Sequence, residues 1–153
     1  MLTLAAGDYA LALAPERGGA VLRFDWHGRS LLRQSHGPRN AALDHDWRCG
    51  WSVASATTRS ATLLLHHLGA DCTYIASQAF ALDESGLTMT LSLVNLGRRP
   101  MPAEIDFGLD LDDVEIVARQ REVDGPILLA SGAVRSASLR LRATAREEVS
   151  YFG

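Results

Sequence analysis

The chain has 153 residues, 47% of them apolar and 22% charged, with a formal net charge of −3. At that size roughly two-thirds of the unfolded surface is buried on folding, enough for a core without disulfide or metal support. These figures exclude a disordered, collagenous or coiled-coil chain, and no apolar run is long enough to cross a bilayer as a helix. Every basic residue is arginine and none forms a run, so nucleic acid is not an expected partner and no membrane attachment is expected. Cys49 and Cys72 form neither a C-x-x-C pair nor a disulfide framework. Two free thiols and no visible signal peptide predict a cytoplasmic protein.

In chain order the sequence punctuates as β-structure. Tyr9–Leu13 and Val21–Trp26 are short β-leaning stretches divided by Pro15-Glu16-Arg17-Gly18-Gly19. His27-Gly28 reads as a hairpin turn into Ser30–Arg33, and Gln34–Asp46 reads as a loop. Strands follow at Trp51–Val53, Ala61–His67 and Tyr74–Leu82, the last ending at Asp83-Glu84-Ser85-Gly86. Leu87–Asn95 alternates strictly, with Leu87, Met89, Leu91 and Leu93 on one face. After the turn Gly97-Arg98-Arg99-Pro100 come Glu104–Leu111, Val114–Val123, Ile127–Ala130, Ser138–Ala143 and Val149–Phe152. About a dozen strands at this spacing predict one all-β domain over 1–153, an antiparallel β-sandwich.

Several phrases resemble the aldose 1-epimerase (galactose mutarotase-like) family. Tyr9 through Pro15 to Gly18-Gly19-Ala20, then Leu31-Leu32-Arg33, looks like its first hairpins. Pro38-Arg39-Asn40 stands where the family has Pro-x-x-Asn-Arg, with the Asn and Arg out of the family order. Trp47-Arg48-Cys49-Gly50-Trp51-Ser52-Val53 resembles its Trp-x-x-x-Trp-x-Val. The block from Phe80 through Asn95 to Arg99-Pro100-Met101-Pro102-Ala103 is the most specific match. The resemblance covers about the first three-quarters of the chain. It implies a compact galactose mutarotase-like supersandwich, shorter than family members.

Mutarotation needs a base for the anomeric hydroxyl proton and an acid for the ring oxygen. On the family pattern, Leu43 takes the first catalytic His position and Gly108 the second, and no counterpart of the late Glu base is found. Glu147 and Glu148 lack the flanking motif. The resemblance therefore implies a carbohydrate-binding domain that has lost epimerase chemistry. One alternative is an active aldose 1-epimerase with relocated groups, drawing on His45 or His36 with a carboxylate from Asp106 or Asp110. Another is a structural or assembly sandwich with no ligand.

Arg39 and Arg48 are candidates to fork onto vicinal hydroxyls or a sugar anion. His36 and His45 lie in the loop that would border a family-like cleft. Trp47 offers a face for a pyranose, whereas Trp51, in register with Val53, belongs to the core. Asp106, Gly108, Asp110 and Asp112 share one side of a predicted strand whose Phe107, Leu109 and Leu111 face inward; the default for such a row is a solvated outer face. His66 and His67 point to opposite faces, so they cannot chelate one ion, and no metal or cofactor is expected. A sandwich shorter than the family leaves open strand edges and apolar surface. Leu139-Arg140-Leu141-Arg142 is one candidate edge, and a homodimer joined by edges or by an apolar face is expected.

Overall fold

The computed structural model describes residues 1–43, 47, 50–121 and 126–144. Four strands, β1 (Leu2–Ala6), β2 (Tyr9–Ala14), β3 (Ala20–Trp26) and β4 (Arg29–Ser30), form one antiparallel sheet in that order. His27 and Gly28, at φ 51° and 72°, make the two-residue turn between β3 and β4, the geometry that matches strand twist. Next come β5 (Leu32–Ser35), β6 (Arg39–Asn40), β7 (Ser52–Ala56), β8 (Ser60–Leu68), β9 (Thr73–Asp83) and β10 (Gly86–Asn95). The remaining strands are β11 (Met101–Ala103), β12 (Ile105–Asp106), β13 (Leu109–Leu111), β14 (Val114–Arg121), β15 (Ile127–Leu129) and β16 (Val134–Ala143). The second sheet has six strands, ordered β14-β16-β10-β9-β8-β7, all antiparallel. Three two-stranded ribbons, β5–β13, β6–β12 and β11–β15, complete the described pairing.

The period-two pattern decides which face of the large sheet is buried. Leu87, Met89, Leu91 and Leu93 of β10 are nearly inaccessible, as the alternation predicts. They sit beside Phe80 and Leu82 of β9 and Leu139 and Leu141 of β16, and pack with Leu11, Leu13 and Phe24 of the smaller sheet. Backbone links fasten the layers: Ala5 N–H donates to Thr58 O at 2.8 Å and Trp51 N–H to Pro15 O at 3.0 Å. The Tyr9 hydroxyl accepts from Ala143 N–H at 3.0 Å.

Three expectations change. Gln34–Asp46 is not simply a loop, because Gln34 and Ser35 belong to β5 and Arg39 and Asn40 form β6. Backbone pairing with β13 and β12 orders them, and no hydrophobic alternation announces it. The Met101-Pro102-Ala103 segment, not among the expected strands, is a strand paired with β15. Leu139–Arg142 is not an edge either, since β16 lies between β14 and β10. Its arginines alternate because they project from the outer face, Arg142 onto Glu115 and Arg140 onto Asp83. The edge strands of the six-stranded sheet are β14 and β7, and each has a register shift, near Val117 and Ala54. A bulge twists an edge away from pairing, which supplies the protection that lysine and proline do not. The expected strand Val149–Phe152 lies outside the described residues.

The β9–β10 turn is pinned from β16. Arg140 Nη2 donates to both Asp83 carboxylate oxygens at 2.7 and 2.9 Å, and Nη1 donates to Thr88 Oγ1 at 2.9 Å. Asp83 also accepts from the Ser85 N–H and hydroxyl, each at 2.7 Å. A Cβ on Gly86 would come within 2.0 Å of Leu141 O, so only glycine lets β16 approach this turn. Hydrogen bonding from Arg140, then from Ser85, holds the Asp83 carboxyl well below the usual carboxylate range. A depressed folded-state value gives stability that is present above the unfolded value near 4 and is lost as pH falls through the folded value. Asp83→Asn is therefore predicted to lower stability at pH 7 by about 0.5–1 kcal/mol, a figure reduced for the half-exposed carboxylate. The difference from wild type should shrink as pH falls below 4, measured by urea midpoints at pH 7, 4 and 2.5.

Candidate functional site

The chain brings four of the expected residues onto one ribbon. Segment 32–41 runs antiparallel to segment 104–112: Leu32 faces Leu111, Gln34 faces Asp110, Ser35 faces Leu109 and Arg39 faces Asp106. His36 N–H donates to Gly108 O at 2.9 Å, and Ala41 N–H to Glu104 O at 2.7 Å. Arg39 Nε donates to Asp106 Oδ2 at 3.1 Å, while Asp106 Oδ1 accepts from Gly108 N–H at 2.9 Å. A second cross-strand ion pair joins Arg33 to Asp112 at 3.6 Å. His36 and Asp110 are exposed, and Asp106 is half-buried.

Asn40 holds the end of this ribbon and is 2% exposed. Its Oδ1 accepts from Ala42 N–H at 3.2 Å and Glu104 N–H at 2.8 Å, and its Nδ2 donates to Pro102 O at 3.1 Å. Each of its polar atoms is engaged with backbone, which makes it a positioning residue for Arg39 beside it. The sequence shows Asn40 only through Pro38-Arg39-Asn40, because two of its three partners come from a segment more than sixty residues away.

Trp47 is placed in the core instead of facing a ligand. It is 4% exposed, with Nε1–H donating to the Tyr74 hydroxyl at 2.8 Å and its ring 5.5 Å from that of Trp51. Trp51 is also buried, as expected, and its Nε1–H donates to Trp47 O at 2.9 Å. A tryptophan held this way has no free ring face for a pyranose. His67 stacks on Tyr74 with ring centroids 4.8 Å apart, and His66 is exposed, so the two rings part as strand alternation requires. His45 and Arg48 lie outside the described residues.

Two further groups escaped the sequence reading. Gln78 and Arg135, at 1% and 4% exposure, sit on the inward face of the large sheet among Leu and Ala. Gln78 Nε2 donates to Gly18 O at 2.9 Å beneath the Gly18-Gly19 turn, where a Cβ on Gly19 would strike the amide. Strand alternation gives their inward register, but a lone polar residue at such a position carries no sequence signal of its partner. Cys72 is a free cysteine whose thiol is pushed up by burial and by the Asp71 charge, which opposes a nucleophilic role. Among the described residues no group of His, Cys, Asp and Glu is placed to hold a metal ion.

The chemistry of the ribbon is that of a paired donor and acceptor. Arg39 supplies N–H donors and Asp106 supplies carboxylate acceptors, a combination suited to vicinal hydroxyls. Proton transfer is another matter. Gly108 has φ +67°, and a Cβ there would lie 2.0 Å from Gly37 O. No L-residue fits without moving one backbone off the other. Gly108→His and Gly108→Ala are predicted to destabilise by more than about 2 kcal/mol, from left-handed strain and the clash together. Urea denaturation checks this, and a histidine variant of wild-type stability would show that the ribbon can reopen.

No family model matches the chain. A curated relative, the uncharacterized protein YphB of Escherichia coli strain K12, is 34% identical over 82 residues, which is 52% of this chain and 28% of that protein. Among solved structures, the Slr1438 protein of Synechocystis sp. PCC 6803 superposes with a TM-score of 0.68 at 14% identity, covering 95% of this chain and 96% of that one. A galactose mutarotase-like protein from Clostridium acetobutylicum gives 0.60 at 14% identity, covering 84% of this chain and 60% of that chain. Another from Lactobacillus casei gives 0.56 at 16% identity, covering 88% and 63%. The chain thus spans less than two-thirds of these mutarotase-like chains and little over a quarter of YphB. At these identities the likeness establishes architecture: the chain is an antiparallel β-sandwich with the galactose mutarotase-like fold.

Proposed function

We propose that this chain is a carbohydrate-recognition domain on a mutarotase-like scaffold, without epimerase chemistry. The observation that carries the reading is the closed contact between Gly37 and Gly108, which leaves no side chain where the family resemblance puts a catalytic histidine. What remains beside it is the Arg39–Asp106 pair, a polar handle with no group free to cycle a proton. Asp106 would have to give up both Arg39 and Gly108 N–H to serve as a base. The active-epimerase alternative draws on His36 and Asp110, both exposed on the same ribbon, and on His45. A purely structural sandwich is the third reading, supported by the full engagement of Asn40 and Trp47. The usage of two cysteines supports a reducing, cytoplasmic setting. No described helix is long and apolar enough to cross a membrane.

Saturation-transfer NMR tests the recognition reading, because the buried tryptophans make poor fluorescence reporters. Common hexoses, a uronic acid and a hexose phosphate are the probes. Transfer to at least one of them is expected, weakened about tenfold or more in Arg39→Met and in Asp106→Asn, since a lost charged hydrogen bond costs about 1.5–3 kcal/mol. No transfer to any probe, or transfer unchanged in both variants, contradicts it.

A further inference from the structure

We propose that the outer face of the six-stranded sheet is the contact surface for a second copy of this chain, packed sheet on sheet about a two-fold axis. The face is unusual for a solvated sheet. The outward positions of β8, β9 and β10 carry one charged residue, Asp83, at the far turn, and Arg140, Arg142 and Glu115 of β16 and β14 lie toward that same end; the rest on these three strands are Ser, Thr, Ala, Gly86, aliphatic residues and His66. A water-facing antiparallel sheet is ordinarily polar and charged on that side. At the end opposite Asp83 the apolar residues gather, with Leu64 38%, Leu68 74% and Val134 53% exposed and Ile75 and Val94 half-buried between them.

The register makes the face self-complementary. Cross-strand rows run Leu64–Ser77–Ser92–Ser136, then His66–Ile75–Val94–Val134, and at the other end Ser60–Ala81–Thr88–Arg140. A two-fold axis along the strands, between β9 and β10, lays each row on its own reverse. Bulky Leu64 then meets the small Ser136 of the second copy, Ile75 meets its Val94, and Arg140 lies over its Ser60 instead of over another arginine. The small central residues let the sheets reach the usual separation of about 10 Å with strands nearly aligned.

The area is sufficient. The six strands, of five to eleven residues each, at about 4.8 Å spacing and about 3.3 Å rise give roughly 840 Å² in projection, and a standard interface takes about 800 Å² from each partner. Growth through strand edges is opposed by the bulges in β7 and β14. The face is therefore the better route to a closed pair.

Sedimentation equilibrium of the whole chain at micromolar concentration tests this. The expected wild-type mass is twice 16.6 kDa. Val134→Asp and Leu64→Asp each alter an exposed side chain, so folding should survive, as circular dichroism would show. Each should raise the dimer dissociation constant at least tenfold, and Val117→Asp, on the bulged edge, should leave it unchanged. A single species of monomer mass, or a dimer that both face variants tolerate, overturns the proposal, as does a dimer that only Val117→Asp dissociates.

Discussion

The meeting of two backbones at Gly37 and Gly108 is the constraint on which the candidate site depends. Both residues have positive φ, and the carbonyl of one occupies the space that a side chain on the other would need. That approach lets segment 32–41 lie along segment 104–112. The pairing in turn fixes Arg39 opposite Asp106, Asn40 opposite Ile105, and the exposed His36 beside Gly108. The same contact that assembles a polar handle removes the position from which a histidine could act. Both parts of the proposed reading, recognition and the absence of proton transfer, rest on this one piece of backbone geometry.

Around it, the sandwich is ordinary in its energetics and specific in its fastening. Strict alternation on β10 buries four large side chains between its neighbours, at roughly 1.5–3 kcal/mol for each fully buried one. The Arg140–Asp83 network closes one end of the large sheet, and the Tyr9–Ala143 hydrogen bond ties the smaller sheet to it. Both edges of the large sheet are bulged, and on the outer face of its strands β8, β9 and β10 the one charged residue is Asp83. The bulges oppose edge pairing, and among the described residues the small side chains on the outer face of these central strands stay at least partly exposed.

Much of this was legible in the sequence, and particular residues show where legibility stopped. Leu87 through Leu93 could be assigned a face because burial on one side imposes period two. His27-Gly28 could be assigned a turn because adjacent positive φ angles favour such a pair. His66 and His67 separated as alternation demands. Strands β6 and β12 were not legible, because two residues paired by backbone leave no hydrophobic pattern. Trp47 was ambiguous because its partner Tyr74 comes from another strand and a tryptophan's indole N–H serves a ligand or a hydroxyl equally well. Arg140 and Arg142 looked like edge protection because an edge and the outer face of a central strand have the same alternation. The distinction lies in which strands pair, and the sequence does not state that locally.

Anomer interconversion, followed by polarimetry of freshly dissolved α-glucose and α-galactose with purified protein, tests the central claim most directly. A chain without a proton-transfer pair at the ribbon leaves the rate at the buffer value, for wild type and for Asp106→Asn alike. A rate above buffer that disappears in Asp106→Asn or His36→Ala would show relocated acid–base chemistry and contradict the account.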